Sequence, residues 1–146
     1  RREAQLEADR PAPEFAGKKI LLVDDNAINR KLGVRFLSRM KVEVETAENG
    51  VDAIEAFLEG GFDLILMDLQ MPEMDGFQAT REIRRYEQRA SGARGSTPII
   101  ALTANAFAEI REQCESAGMS DFLTKPLRID ELAEKLGRWL DVPKTA

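Results

Sequence analysis

Residues 62–76 read Phe-Asp-Leu-Ile-Leu-Met-Asp-Leu-Gln-Met-Pro-Glu-Met-Asp-Gly, an apolar run that leads into an aspartate and then into a loop. The apolar residues 64–67 do not alternate with polar ones, which is typical of a strand buried on both faces of a parallel sheet. Asp68 therefore ends such a strand, at the carboxyl edge where open α/β sheets bind their ligands. A buried carboxylate is costly unless a partner neutralises it, so Asp68 is the first candidate functional residue.

Strand patterns and helix patterns alternate along the chain. Short apolar segments indicate strands at residues 18–23, 42–46, 64–67, 99–102 and 121–124. Helical spacing follows each of them, and it places Ile28 and Phe107 on the buried faces of the first and fourth helices. The alternation predicts an α/β fold of three layers, a doubly wound parallel sheet of the flavodoxin-like (βα)5 type with strand order 2-1-3-4-5.

The domain organisation follows from length and from the helix-breaking residues near the start. The 146 residues suffice for one domain. Residues 1–17 are charged at first and then carry two prolines and a glycine, so we interpret them as a linker or N-terminal extension. The folded domain is predicted over residues 18–141, with a tail at 142–146. Because the chain begins with Arg1 and not methionine, we expect it to be a piece of a longer polypeptide.

Composition narrows the classes of function. A net charge of −5 without a long basic tract does not favour nucleic-acid binding by this segment. No stretch approaches the ~20 apolar residues of a membrane span, and no signal peptide is present. We expect a cytoplasmic segment without membrane contact, monomeric by default, whether or not a parent protein is membrane-anchored. The single cysteine, Cys114, excludes an internal disulfide and is expected to be a buried structural thiol.

Polar residues stand at the ends of four of the five predicted strands. These are Asp24 and Asp25, Asp68, Thr103, and Lys125. The carboxyl ends of parallel strands meet at one crevice, and two carboxylates about 4 Å apart repel by roughly 4 kcal/mol at an effective dielectric constant near 20. Lys125 supplies one positive charge, so the cluster stays negative and favours a divalent cation. Oxygen ligands suit Mg²⁺, whereas the absence of histidine argues against zinc or copper.

Each of these residues also has an ordinary structural explanation. Asp24 or Asp25 could cap the following helix, Thr103 could be a strand-end threonine, and Lys125 could be a surface lysine. Their combination at one sheet edge is what points to chemistry. A metal ion together with Lys125 would make Asp68 a nucleophile toward phosphorus, with the Thr103 hydroxyl as a donor to a phosphoryl oxygen.

Four motifs carry a specific resemblance. Leu-Leu-Val-Asp-Asp-Asn at 21–26, Leu-Met-Asp-Leu-Gln-Met-Pro-Glu-Met-Asp-Gly at 66–76, Ala-Leu-Thr-Ala at 101–104 and Lys-Pro at 125–126 resemble the signature of response-regulator receiver domains. The resemblance covers about residues 18–140. The sequences of residues 23–30, 68–76 and 118–126 are most similar to those of receivers attached to hybrid sensor histidine kinases.

The resemblance implies roles for the acidic cluster. Asp68 would be the phosphoacceptor, and Asp25 and Asp68 would ligate Mg²⁺ directly, with Asp24 acting mostly through water. The backbone carbonyl of Gln70 would be the third protein ligand. Lys125 would be the phosphate partner.

The resemblance also implies a conformational switch. Thr103 would supply the switch hydroxyl and Phe122 the switch aromatic, where the more familiar form of the family has tyrosine. Lys125 and Pro126 would be joined by a cis bond. The residues that would flank the phosphate are Gln70, Ala104 and Asn105.

The implied function is that of a phosphoacceptor in a two-component phosphorelay. Because the chain has no histidine, the phosphoryl group would come from a histidine kinase or a histidine phosphotransfer domain, and the segment itself would catalyse at most its own phosphorylation and dephosphorylation. A hybrid sensor kinase is the expected parent, with a stand-alone response regulator as the alternative. An aspartyl-phosphate phosphohydrolase is disfavoured because Gln70 replaces its second aspartate. An FMN-binding module is disfavoured because Asp24 and Asp25 would repel a phosphate.

Overall fold

The computed structural model describes residues 14–90, 96–105 and 107–140, so the predicted tail at 142–146 and most of the predicted extension at 1–17 lie outside the described residues. Strands and helices alternate through the described part in the order β1 (Lys19–Val23), α1 (Ala27–Arg39), β2 (Glu43–Ala47), α2 (Gly50–Glu59), β3 (Leu64–Asp68), α3 (Gly76–Arg89), β4 (Ile99–Thr103), α4 (Ala108–Ala117), β5 (Asp121–Thr124) and α5 (Ile129–Trp139). None of these helices is long and apolar enough to span a membrane.

The strands form one parallel sheet in the order β2-β1-β3-β4-β5, which confirms the predicted fold and topology. The predicted strand bounds differ from the observed ones by at most one residue at either end. All residues of β3 and β4 are buried. The absence of polar alternation in these two strands is therefore explained by helices on both faces of the sheet.

Two apolar cores, one on each face of the sheet, complete the three layers. Alternate strand residues, such as Leu66 and Ile65, point to opposite faces. The first face packs against α1 and α5 through Leu37, Met40, Leu132 and Leu136. The second packs against α2, α3 and α4 through Ala53, Ala79, Ile83 and Cys114. Cys114 is buried as expected, and burial raises the pKa of its thiol, with the Glu115 charge adding to the effect.

Side-chain caps fix the starts of three helices at the carboxyl edge of the sheet. Asn26 caps α1 by accepting a hydrogen bond from the Asn29 amide, and Asn49 caps α2 in the same way. Asp75 caps α3 in a reciprocal capping box with Gln78. Neither Asp24 nor Asp25 is the cap of α1, so both carboxylates remain available for other partners.

The burial predicted for two apolar side chains is wrong. Ile28 is 76% exposed and Phe107 is 71% exposed. Ile28 lies in the first turn of α1, beside the loop that leaves the sheet rather than over the sheet. Phe107 precedes α4 and has extended backbone angles, so the helical spacing used to place it does not apply.

Phe15 lies in the predicted extension, yet it packs in the core beneath α1 and α5. Its side chain is 6% exposed, and its amide donates to the Met40 carbonyl oxygen at 2.8 Å. The Lys18 amide donates back to the Phe15 carbonyl oxygen at 3.2 Å. The packed unit therefore includes residues before the predicted boundary at 17/18.

Replacing Phe15 with alanine is expected to lower the free energy of unfolding by about 3 kcal/mol, because a buried aromatic side chain is removed. Phe107→Ala removes the same side chain from an exposed position and should change the free energy by no more than about 0.5 kcal/mol. Urea denaturation of the two variants measures both values. Equal costs at the two positions would contradict the packing of Phe15.

Candidate functional site

The strand ends bring the predicted polar residues to one edge of the sheet. Asp24 and Asp25 follow β1, Asp68 ends β3, and each of the three carboxylates has an oxygen within 4.8 Å of the others. Lys125, which follows β5, reaches into this group. Its Nζ donates to Asp68 Oδ1 at 2.8 Å and lies 3.5 Å from Asp24 Oδ2. The predicted acidic cluster and its cation therefore share one crevice.

The Asp68 carboxylate is buried and only half satisfied. Its Oδ1 accepts hydrogen bonds from Lys125 Nζ and, at 3.2 Å, from the Gln70 amide. Its Oδ2 is buried and has no hydrogen-bond partner within the part of the chain that the structure describes. The pKa of Asp68 is raised to about 6, because burial, with the Asp24 charge adding to it, outweighs the opposing contacts with Lys125 and the Gln70 amide.

Lys125 is the cation that the cluster holds most firmly. Burial alone would lower its pKa, but the hydrogen bond to Asp68 and the charges of Asp68 and Asp24 outweigh burial and raise it. One ammonium group does not balance three carboxylates. Oxygen donors, excess negative charge and the unpartnered Asp68 Oδ2 together fit a hard metal cation. The cluster can therefore hold a metal ion.

The loop after β3 sits tightly on the backbone of Asp68. The Gly76 amide donates to the Leu69 carbonyl oxygen at 3.1 Å. A Cβ atom at Gly76 would overlap the Asp68 carbonyl oxygen and lie 3.0 Å from Leu69 Cα. Glu73 has a φ of 68°, a left-handed conformation that costs a non-glycine residue about 1–3 kcal/mol. The loop thus adopts a tight path that fixes the position of the Asp68 main chain.

Thr103 lies at the same edge, but its hydroxyl is engaged within its own loop. Thr103 Oγ1 donates to the Asn105 carbonyl oxygen at 2.7 Å and accepts from the Asn105 amide at 3.2 Å. Gln70, Ala104 and Asn105 are exposed at the rim. A depression of about 530 Å³ extends from Asp25 past Gln70, Thr103 and Asn105, which leaves room beside the cluster for a reactant.

Phe122 lies on β5, three residues before Lys125, and is half-buried. Its ring packs with the second apolar core, and two cations lie over it. Arg111 of α4 is 5.7 Å and Lys135 of α5 is 5.6 Å from the ring centroid. The Lys125–Pro126 peptide bond is cis. The ring therefore sits between two helices, away from the acidic cluster.

Asp121 fixes the start of β5 to α5. Its carboxylate accepts from Lys135 Nζ at 2.9 Å, from Trp139 Nε1 at 2.8 Å and from the Phe122 amide at 2.8 Å. Arg138 adds an ion pair at 3.6 Å. Burial alone would raise the pKa of Asp121, but the hydrogen bonds from Trp139 and Lys135 outweigh burial and lower it.

Most of the chain is similar to proteins of one known family. The family model of the response regulator receiver domain matches residues 20–137. The chain belongs to this family. It shares with this family the fold and the strand-end residues that carry the motif resemblance.

Receiver domains of sensor kinases are among the similar proteins. The sensor protein GacS of Pseudomonas syringae is 44% identical over 121 residues, which is 83% of this chain and 13% of that protein. The receiver domain of sensor histidine kinase PA1611 from Pseudomonas aeruginosa, solved with a magnesium ion in its active site cleft, is 42% identical with a TM-score of 0.73, covering 85% of this chain and 98% of that one. The chain spans only 6–17% of the length of three full-length kinase relatives.

A third similar structure contains a second protein. The receiver domain of Saccharomyces cerevisiae Ssk1, solved with the histidine phosphotransfer protein Ypd1, is 32% identical to this chain with a TM-score of 0.79. The match covers 89% of this chain and 91% of that one.

Arg30 has no role that the sequence predicts, although its side chain lies next to the acidic cluster. Arg30 Nη1 donates to the Asp24 carbonyl oxygen at 2.7 Å. In the sequence, Arg30 is recognisable only as a basic residue one turn into α1, six positions after Asp24. That spacing alone does not say which way a long side chain turns. The need for glycine at position 76 was also missed, because it arises from a close approach between main chains.

The variant Gly76→Ala is expected to lower the free energy of unfolding by about 1–3 kcal/mol, since the added methyl group overlaps the Asp68 main chain. Gly137→Ala is the matched control, because a Cβ atom at Gly137 meets nothing within 4 Å in helix α5. It should stabilise the domain by up to about 1 kcal/mol through helix propensity. Chemical denaturation measures both, and a stabilising Gly76→Ala would contradict the close approach.

The variant Asp121→Asn is expected to lower the free energy of unfolding by about 2 kcal/mol near pH 7, because it weakens hydrogen bonds to a charged group. The pKa of Asp121 is lowered by folding, so the charged form stabilises the folded state above the unfolded pKa. That contribution disappears as pH falls through the folded pKa. The difference in the free energy of unfolding between Asp121→Asn and the unmodified chain should therefore be constant between pH 5 and 7 and shrink below about pH 4.

Denaturation curves across this pH range test the expectation, with the exposed carboxylate variant Glu112→Gln as control. The control should show little difference at any pH. A cost for Asp121→Asn that stays unchanged down to pH 3 would contradict an ionic role for Asp121.

Proposed function

We propose that this receiver domain accepts a phosphoryl group from phosphohistidine onto Asp68. The observation that carries the proposal is the state of the Asp68 carboxylate. One of its oxygens is held by Lys125 at 2.8 Å, and the other is buried, beside two further carboxylates, with no hydrogen-bond partner among the residues that the structure describes. An electrophile that reached Oδ2 would relieve an uncompensated buried charge.

Mg²⁺ is the proposed cofactor. The side chains of Asp25 and Asp68 and the backbone carbonyl of Gln70 would hold it directly, and Asp24 would act mostly through water. The all-oxygen donor set supports Mg²⁺, as does the magnesium ion in the related PA1611 receiver. When bound, the ion would neutralise carboxylate charge and the charge of the phosphoryl oxygens.

Asp68 acts as the nucleophile in the transfer step. An oxygen of its carboxylate forms a bond to phosphorus, the bond between phosphorus and the histidine nitrogen breaks, and its electron pair stays on the imidazole. Lys125 already lies at the reacting carboxylate, so it can turn its ammonium group to a phosphoryl oxygen. This stabilises charge where it accumulates in the transition state.

Phosphorylation of Asp68 changes the contacts of the surrounding residues. Thr103 gives up its bond to the Asn105 carbonyl oxygen and donates to a phosphoryl oxygen, while Gln70, Ala104 and Asn105 flank the group. Phe122 then turns inward and leaves Arg111 and Lys135. Because Phe122 has no phenolic hydroxyl, packing alone stabilises its inward position.

The donor is a histidine kinase or a histidine phosphotransfer domain, because the chain contains no histidine. The Ssk1 receiver, which was solved with such a phosphotransfer protein, supports this choice of partner. The receiver, which the sequence predicts at residues 18–141 and whose packed core also includes Phe15, would lie in a cytoplasmic part of a hybrid sensor histidine kinase. The similarity to GacS supports this context.

The proposal is tested by incubating the chain with Mg²⁺ and labelled acetyl phosphate, or with a phosphorylated phosphotransfer domain. We expect one acid-stable, base-labile phosphoryl group per chain, and none in Asp68→Asn. Lys125→Met should slow labelling by about 100-fold, since it removes one charged donor from the transition state. Removing the metal with EDTA should prevent labelling.

The matched control is Asp63→Asn. Asp63 lies just before the opposite end of β3, where its carboxylate accepts from the Lys19 amide, and its variant should label like the unmodified chain. Label that persists in Asp68→Asn would overturn the proposal. Continuous release of phosphate without accumulation of label would indicate a phosphohydrolase instead.

A further inference from the structure

Arg30 connects the acidic loop after β1 to the loop after β2. Its Nη1 donates to the Asp24 carbonyl oxygen at 2.7 Å, and its Nη2 donates to Glu48 Oε1 at 3.1 Å. The Arg30 side chain is only 17% exposed, although Glu48 is largely exposed. The planar guanidinium group can hold two acceptors in fixed directions at once, which an ammonium group does less precisely.

The two neighbouring aspartates are held very differently. The Asp24 carboxylate is buried, its Oδ1 accepts from the Asn26 amide at 2.9 Å, and the Asp24 amide donates to the Ala47 carbonyl oxygen at 3.1 Å. The Asp25 carboxylate is exposed, and no hydrogen bond fixes it among residues 14–90, 96–105 and 107–140. Its direction therefore depends on the peptide group that joins it to Asp24.

That peptide group is the one to which Arg30 donates. The Arg30 amide also donates to the Asn26 carbonyl oxygen at 3.0 Å, so both the main chain and the side chain of Arg30 fasten α1 to the loop. The hydrogen bond from the guanidinium group thus restrains the plane of the Asp24–Asp25 peptide. The Asp25 carboxylate projects from that plane toward the cluster that it forms with Asp24 and Asp68.

We infer that Arg30 is a positioning residue for the divalent cation, acting through the Asp24–Asp25 peptide. The inference rests on the proposed function, because it assigns a role at the same metal site. Glu48 completes the arrangement by pairing with the second nitrogen of the guanidinium group, which keeps the group turned toward the peptide and offsets its charge.

Charge alone predicts the opposite effect. A cation near a metal site repels the metal ion, so removing Arg30 should raise Mg²⁺ affinity a few-fold if only Coulomb interactions matter. Loss of a group that orients a metal ligand lowers affinity, typically by 10- to 100-fold. The two explanations therefore differ in sign, and binding measurements can separate them.

The experiment is calorimetric titration of Mg²⁺ into the whole chain and three variants. Arg30→Met removes both hydrogen bonds and the charge, whereas Arg30→Lys keeps the charge and loses the two-pronged geometry. Lys31→Met is the matched control, because it removes one positive charge from an exposed neighbour on the same helix. We expect affinity to fall about 10- to 100-fold in Arg30→Met and at least about five-fold in Arg30→Lys. It should stay level or rise slightly in Lys31→Met.

Denaturation in EDTA accompanies each titration, and the inference requires that Arg30→Lys remain folded at the titration temperature while it binds Mg²⁺ less tightly. Arg30 variants that bind Mg²⁺ as tightly as the unmodified chain, or more tightly, would overturn it and leave the proposed function standing. Failure of the unmodified chain to bind Mg²⁺ would instead overturn the proposed function and the inference together. Equal losses in Lys31→Met and Arg30→Met would also overturn the inference, because a shared loss would not be specific to the peptide contact.

Discussion

The constraint on which the site depends is the crowding of three carboxylates, two of them paired with the Lys125 ammonium group, at the edge of a parallel sheet. Asp68 is buried at the end of a fully apolar strand, and its second oxygen has no partner among the described residues. Crowding of this kind raises the free energy of the folded state, so the surrounding fold must be stable enough to tolerate it. The apolar layers on both faces of the sheet supply that stability.

The loops that carry the cluster are held by contacts at both ends. Asn26, Asn49 and Asp75 cap the helices that follow β1, β2 and β3, so each of these loops ends at a fixed point. Gly76 allows the loop after β3 to pack directly on the Asp68 main chain. Arg30 holds the loop after β1 through its hydrogen bond to the Asp24 carbonyl oxygen. The carboxylates therefore keep their spacing although they repel one another. A less constrained set of loops would separate them.

The fold and most of the cluster could be predicted because they follow from periodicity and from strand ends. An apolar run ending in Asp68 indicates a buried strand whatever the rest of the chain does, and parallel strands bring their carboxyl ends together. Periodicity failed at Ile28 and Phe107, since it gives the phase of a helix but not where the helix begins or what lies beneath its first turn.

Contacts between distant main-chain and side-chain atoms could not be predicted. The burial of Phe15 depends on a core that forms only when strands and helices distant in sequence pack together, and the direction of the Arg30 side chain depends on its rotamer. The hydroxyl of Thr103 lies at the predicted edge but turns to Asn105. Sequence therefore located the cluster better than it described the hydrogen bonds that orient it.

The short β5 strand joins the cluster to the ring of Phe122 between α4 and α5. Phe122 pairs with Ala101 and Thr124 pairs with Thr103, so a movement at Thr103 or Lys125 acts on the same two strands that carry the ring. Each cation over the ring stabilises its outward position by about 0.5–1 kcal/mol, or up to about 2 kcal/mol for both. A shift from 1% to 99% of an inward state requires about 5.5 kcal/mol. In the proposed switch, contacts of a phosphoryl group with Thr103 and Lys125 would have to supply that whole difference, because the contacts of Arg111 and Lys135 with the ring favour the observed outward position.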